Sequence, residues 1–385
     1  GSGVPTLTDA VQHTDRQQLA GARRWVVKVG SALLTNDGRG LDASVVKMLA
    51  DQLAAMRSRG CDVVLVSSGA IVAGLARLNL AERPHEVHLS QAAAAVGQSA
   101  LVRAYEEHLS PHGVTAAQIL LSHADVRARD RYLNARSTLS TLLAMNVLPI
   151  VNENDTVVTD EIRLGDNDTL AALVANLVDA DALLILTDQD GLMDSDPRQT
   201  ADAQLIQTAD VHDSMLDAIA GAGGALGRGG MATKLSAARL AARSGTATII
   251  ANGRKPDAIT NVTGGALLGT FLQTQRQPQS ARKQWLASLL HAQGNLVLDD
   301  GAVKGVSDQG RSLLPIGVIS VSGKFQRGDL VSCVDSAGRE RARGLVNYSS
   351  EEAEALAGKG SADIEAILGY GGEEELIHRD NLVAS

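Results

Sequence analysis

Short apolar runs that each stop at small or polar residues, with helical stretches between them, constrain the fold of this chain more than any other feature. Trp25–Val29 runs into Gly30 and Ser31, and Val63–Val66 into Ser67, Ser68, Gly69 and Ala70. Val147–Val151 runs into Asn152 to Asp155, and Ala182–Leu186 into Thr187 and Asp188. Runs of this length and β-branched content read as strands buried on both faces. Between them the apolar spacing turns helical: Val45, Val46, Leu49, Leu53 and Met56 before Gly60, then 90–109, 131–145, 169–178 and 234–243. Val114–Leu121 and Thr246–Ile250 read as further strands. The alternation predicts an α/β fold with a mostly parallel central sheet covered by helices on both faces. The carboxyl ends of parallel strands share one edge, so these small and polar residues are expected to converge there.

Aromatic residues are only 2% of the chain against 44% apolar, so its cores are built from Ala, Val, Leu and Ile. That scarcity also argues against stacking platforms for single-stranded nucleic acid. At roughly 150 residues per domain, the length suggests two or three domains. Composition shifts near residue 275. Residues 24–272 read as the α/β domain, 273–284 as a Gln- and Arg-rich linker, and 285–385 as a small β-rich domain. The latter shows short β runs at Leu296–Leu298, Gly317–Val321 and Asp329–Val334, then a helix at Ser350–Ala357. Residues 1–23 open with what looks like a cloning scar, Gly1-Ser2-Gly3, and are expected to be a disordered arm.

The net charge of −9 argues against a generic polyanion binder. From Trp285 onward, nine Lys and Arg face fifteen Asp and Glu, the wrong sign for RNA. Cys61 and Cys333 lie far apart, so no disulfide framework or metal cluster is expected, which fits a reducing cytoplasm. No run reaches the ~18 apolar residues of a membrane span, and no signal-peptide layout opens the chain, so no membrane partner is expected.

Three features carry charge to the predicted sheet edge. Residues 151–168 hold six carboxylates and three asparagines between two apolar elements, and enter a helix at Gly165-Asp166-Asn167-Asp168. Lys28 sits inside the first strand between Val27 and Val29, where a charge is costly unless paired or used. Lys234 follows the glycine-rich Gly227–Thr233 at a helix entry, the geometry of an anion site. Each alone has a bland reading: a solvated acidic turn, a snorkelling lysine, a surface loop. Neither Walker nor EF-hand spacing is present. Their conjunction suits phosphoryl transfer, in which fixed cations and Mg²⁺ on the phosphates stabilise a spread negative charge.

The following motifs occur in order: Trp25-Val26-Val27-Lys28-Val29-Gly30-Ser31, Val66-Ser67-Ser68-Gly69-Ala70-Ile71, Val96-Gly97-Gln98-Ser99, Leu133-Asn134-Ala135-Arg136, Val151-Asn152-Glu153-Asn154-Asp155, Gly165-Asp166-Asn167-Asp168, Leu186-Thr187-Asp188-Gln189-Asp190-Gly191-Leu192 and Gly229-Gly230-Met231-Ala232-Thr233-Lys234. The series closely resembles the amino acid kinase family, in particular the branch that phosphorylates the side-chain carboxylate of L-glutamate. Ser312-Leu313-Leu314-Pro315, Gly323–Asp329 and Ala366–Tyr370 are similar to a PUA domain. The likeness spans residue 24 to about 380.

The resemblance implies ATP-dependent formation of L-glutamyl 5-phosphate, the first step of proline biosynthesis, with Mg²⁺ and with proline as feedback inhibitor. It implies a homo-oligomer, dimer or tetramer. It gives Lys28 and Lys234 the charge of the phosphoryl group in flight, and Asp168 the task of orienting both. Ser68, Gly69, Ala70, Asp155 and Asn167 correspond to positions that contact glutamate, with Asn152 and Asp166 close by. Asp155 and Asn167 would take its α-amino and α-carboxyl groups. Lys28, Gly30, Thr187, Asp188, Gly229, Gly230, Met231, Ala232, Thr233 and Lys234 correspond to the ATP side. No metal ligand is assigned to the protein. Arg228 departs from the small or hydroxyl residue of its position. The residues leave two rivals: another family member acting on aspartate, acetylglutamate or carbamate, and an RNA-binding PUA protein. Local alternatives also stand, with Asp168 or Ser68 acting only as helix caps.

Overall fold

A computed structural model describes residues 16–17, 19–36, 39–81, 84–157, 167–196, 198–222, 230–275, 278–289 and 291–385. They form two compact units. One holds the chain up to His123 and from Thr138 to Pro278; the other holds Ala124–Ser137 and Gln279–Ser385.

The first unit is built on an eight-stranded sheet: β1 (Arg24–Val29), β2 (Asp62–Ser67), β3 (Thr115–Leu121), β4 (Val147–Glu153), β5 (Ala182–Thr187), β6 (Thr208–Asp210), β7 (Ala247–Asn252) and β8 (Thr270–Gln273). The order is β3-β4-β2-β1-β5-β7-β8-β6. All neighbours pair in parallel except β7 with β8. The expected mostly parallel sheet is therefore present, with the short β8–β6 pair reversed at one edge. β6 and β8 together hold only seven residues, too little apolar sequence to register as strands beforehand.

Central β1 is covered on both faces. Trp25, Val27 and Val29 enter a core with Leu49, Leu53 and Met56 of the Ala43–Ser58 helix and Leu101 and Tyr105 of the Val87–Leu109 helix. Strand alternation turns Lys28 to the opposite face. There the Asp168–Val178 helix packs on β1 and β5, and the Met231–Ala242 helix packs on β7 and on that helix. The Ala43–Ser58 helix starts where Asp42 accepts from the Ser44 and Val45 amides and stops before Gly60, which takes φ +85°.

The Ala70–Arg77 and Val87–Leu109 helices cross backbone to backbone. A Cβ on Gly74 would lie 1.7 Å from the Ala93 carbonyl oxygen, and one on Gly97 would lie 1.6 Å from that of Ala70. Gly97→Ala must push these helices apart, and overpacking of this kind costs about 1–3 kcal/mol or more. A clear drop in Tm is expected in a thermal melt; a parental Tm would show that the crossing yields freely.

The N-terminal arm is anchored from Arg16 on. Its buried guanidinium donates to the carbonyls of Gln207 (2.8 Å), Leu268 (2.8 Å) and Gly269 (3.1 Å), and lies 5.5 Å from the Phe271 ring centre. Tertiary carbonyls supply this order, and no local pattern in the arm announces it. The Met231–Ala242 helix begins three residues before the expected 234, so Lys234 lies one turn inside it. Pro278–Ser288 is helical, so a helix occupies the second half of the stretch 273–284 read as a linker and runs into the next domain. The stretch 158–164, with Asp166, Gly227, Arg228 and Gly229, lies outside the described residues.

The second unit carries a five-stranded sheet of β9 (Gly294–Leu298), β10 (Val318–Gly323), β11 (Leu330–Val334), β12 (Glu340–Leu345) and β13 (Leu382–Ala384), ordered β10-β9-β11-β12-β13. Only β9 and β11 pair in parallel. Leu133 of the Ala124–Ser137 segment packs with Leu286, Leu330 and Leu345. The Ser350–Leu356 helix is closed by a capping box between Ser349 and Glu352.

Candidate active site

The strand ends of the first unit bring three buried charges together. Lys28 of β1 places its Nζ 2.7 Å from Asp168 Oδ1, and Lys234 places its Nζ 3.1 Å from Asp168 Oδ2. Asp168 is 0% exposed, Lys28 3% and Lys234 4%. One carboxylate thus holds two ammonium groups side by side, and the trio retains one net positive charge. Buried charges persist when paired in this way. Asp168 is the first residue of its helix and not its cap; Asn167 holds the cap position, and its side chain caps nothing. The helix-cap alternative for Asp168 is therefore not what the side chain does.

Beside this trio lies a cluster of buried amides. Asn152, at the end of β4, accepts through Oδ1 from the Glu153 amide (2.8 Å) and from Asn167 Nδ2 (2.8 Å). Asn167 Nδ2 also donates to the Ser67 carbonyl at 3.3 Å. Asp155 follows β4 in a turn and is buried, as is Glu153. Ser67 Oγ lies 2.9 Å from the hydroxyl of buried Tyr105, whose own titration desolvation pushes above the usual tyrosine range.

Ser68 is half-buried, and its amide donates to the Val29 carbonyl at 3.0 Å. It does not cap the next helix. Gly69 stands at the cap with φ +103°, a left-handed turn that suits glycine, and no side chain bonds to the helix start at Ala70. That start presents backbone N–H groups, the usual anion-binding feature of a helix entry.

On the other side of β1, Thr187 closes β5 half-buried and Asp188 is exposed, with Thr187 Oγ1 donating to Asp188 Oδ1 at 3.4 Å. The end of β7 joins them. Gly253 N donates to the Thr187 carbonyl at 2.8 Å, and Asn252 Nδ2 donates to Asp190 Oδ1 at 3.1 Å. Asn252 and Asp190 were not singled out from the sequence, although β7, like its neighbours, ends in polar residues. Gly30 lies close against Lys28: a Cβ there would be 3.3 Å from its Nζ. Gly230 caps the Met231–Ala242 helix without a side-chain bond, so Met231, Ala232 and Thr233 form a first turn open to an anion.

The arrangement offers fixed positive charge in a low-dielectric setting, which stabilises a transferring anion. Among the described residues, no group of three or more His, Cys, Asp or Glu could hold a metal ion. No described helix is long and apolar enough to cross a membrane.

The sequence model of the amino acid kinase family matches residues 23–252, and that of the PUA domain matches residues 294–368. The glutamate 5-kinase of Chromohalobacter salexigens is 59% identical over 372 residues, 97% of this chain and 98% of that protein. The glutamate 5-kinase of Saccharophagus degradans is 59% identical over 96% of this chain and 99% of that protein. The chain belongs to the amino acid kinase family, among its glutamate 5-kinases, and carries a PUA domain over residues 294–368.

Proposed function

We propose that this enzyme transfers the γ-phosphoryl group of ATP directly to the side-chain carboxylate of L-glutamate, and that Lys28, Asp168 and Lys234 carry the step. The Lys28–Asp168–Lys234 trio is the observation on which the reading rests. The substrate carboxylate is ionised at neutral pH, so it attacks phosphorus in line without a general base. The new bond joins a carboxylate oxygen to Pγ, and the bond from Pγ to the bridging oxygen breaks, leaving ADP. Lys28 and Lys234 face the charge that builds on the phosphoryl oxygens, and Asp168 keeps both ammonium groups in place. The first turn from Gly230 to Thr233, with Gly229, takes the phosphates, and Gly30 leaves room beside Lys28. Thr187 and Asp188 border the nucleotide.

Mg²⁺ belongs with ATP in such a transfer. The described side chains do not fit a protein-held ion, because both oxygens of Asp168 already face ammonium groups.

Ser68, Gly69, Ala70, Asn152, Asp155 and Asn167 border the amino acid, with Asp166 next in sequence. Asp155 suits the α-amino group, which needs an anionic acceptor. Proline presents a comparable head group and competes at the same place. Asp155→Ala is expected to raise KM for glutamate and to weaken proline inhibition together, with kcat much less affected. Initial rates over a grid of glutamate and proline check this; an unchanged KM, or parental proline sensitivity, would remove Asp155 from the clamp.

The overall reading is tested by ADP release with hydroxylamine present, which converts an acyl phosphate to a hydroxamate. Glutamate-dependent ADP release with matching γ-glutamyl hydroxamate is expected. A dominant rate on aspartate or N-acetylglutamate, or ADP without hydroxamate, would overturn it.

A further inference from the structure

We infer that Gln98, which has no role in the scheme above, binds the α-carboxylate of the amino acid substrate through its Nε2 hydrogens. The inference rests on the proposed amino acid site and deepens it.

Backbone groups fix the orientation of the Asn152 and Asn167 amides, and Asn152 in turn sets that of Gln98. The Glu153 amide can only donate, so the Asn152 atom 2.8 Å from it is the carbonyl oxygen Oδ1. The Ser67 carbonyl can only accept, so the Asn167 atom 3.3 Å from it is Nδ2. Asn167 Nδ2 also reaches Asn152 Oδ1 at 2.8 Å, which is consistent with both assignments. Asn152 Nδ2 must then be the atom that faces Gln98, and it donates to Gln98 Oε1 at 3.5 Å. Gln118 Nε2 donates to the same oxygen at 3.3 Å.

The relay spends its donors unevenly. Asn167 has both amide hydrogens engaged, so the atom it turns to a ligand is the acceptor Oδ1. Asn167 and Asp155 therefore offer acceptors alike, which suits an ammonium group and leaves the α-carboxylate without a side-chain donor. Gln98 supplies it. Its side chain is buried, 7% exposed, and its Nε2 finds no acceptor among the described residues. A buried amide donor without a partner is unfavourable, so its persistence at a site points to a ligand acceptor.

Position supports the assignment independently. Gly97 lies so close to the Ala70 carbonyl that a Cβ would be 1.6 Å from it. Gln98 follows directly on this close crossing with the first residue of the Ala70–Arg77 helix, and its side chain bonds Asn152. A carboxylate bound by the Gln98 amide is proposed to draw also on the positive end of that neighbouring helix.

Gln98→Glu tests this, because it keeps size and one acceptor oxygen while replacing the donor with negative charge. KM for glutamate is expected to rise about tenfold to a hundredfold, the range for a lost bond to a charged group. KM for ATP, kcat at saturating glutamate and Tm should stay near parental. Gln98→Met, which removes donor and acceptor alike, should also raise KM for glutamate. An unchanged KM for glutamate in folded variants would overturn the assignment. So would a fall in kcat matching the rise in KM, which would move Gln98 to the reacting carboxylate. A parent enzyme without glutamate-dependent ADP release would refute the kinase reading itself, and this assignment with it.

Discussion

Lys234→Ala is expected to lower kcat about 10²–10³-fold while the protein remains folded. Removing one preorganised charge that meets the transition state typically costs about 3–4 kcal/mol of its stabilisation. The effect falls on kcat more than on KM, because charge on the transferring oxygens is greatest in the transition state. The fold should survive, since Asp168 keeps Lys28 at 2.7 Å and so stays neutralised. The measurement is steady-state kinetics beside a melt. Near-parental turnover would remove Lys234 from the mechanism, and a collapsed melt would show that its first duty is structural.

Asp168→Ala should be worse, because it costs stability as well as rate. The carboxylate is fully buried and is an ion-pair partner of both lysines. Its removal takes the shared anion away from two buried ammonium groups. Breaking a buried pair by taking one partner typically costs about 3–5 kcal/mol. Urea denaturation should show that loss at an unchanged m-value, with glutamate-dependent activity near background. Asp168→Asn keeps the shape and an acceptor, so it should fall between parent and alanine in stability yet remain nearly inactive. An alanine variant as stable as the parent would mean that the two lysines tolerate each other, and the organising role of Asp168 would be lost.

The order of legibility along the chain has a physical basis. Strands such as Val63–Val66 and Ala182–Leu186 were readable because a strand covered on both faces must be apolar throughout. The site edge was readable because parallel strands all end on one side, and each of these ends in small or polar residues. Helix entries were read less well. The start at Met231 was missed by three residues because glycine and methionine carry no capping signal. The docking of Arg16 was invisible, since its partners are backbone carbonyls at 207, 268 and 269 that any sequence would supply.

By itself, the sequence determined the layered sheet, the edge that carries the chemistry, and Lys28 and Lys234 as charges that an apolar strand and a glycine-rich helix entry would not hold idly. Its motifs also marked Asp168 and Asn167 through their likeness to a family. Only the tertiary structure decided who meets whom. β1 lies in register between β2 and β5, and two helices pack on its Lys28 face, which sets one carboxylate between two ammonium groups. The same packing joins Gln98 to Asn152 and Asn167 and leaves its amide without an acceptor. Pairings of this kind depend on strand register and helix packing between residues far apart in the chain. Local patterns specify elements and their buried faces; they do not specify which polar atom spends its hydrogen bond on which neighbour.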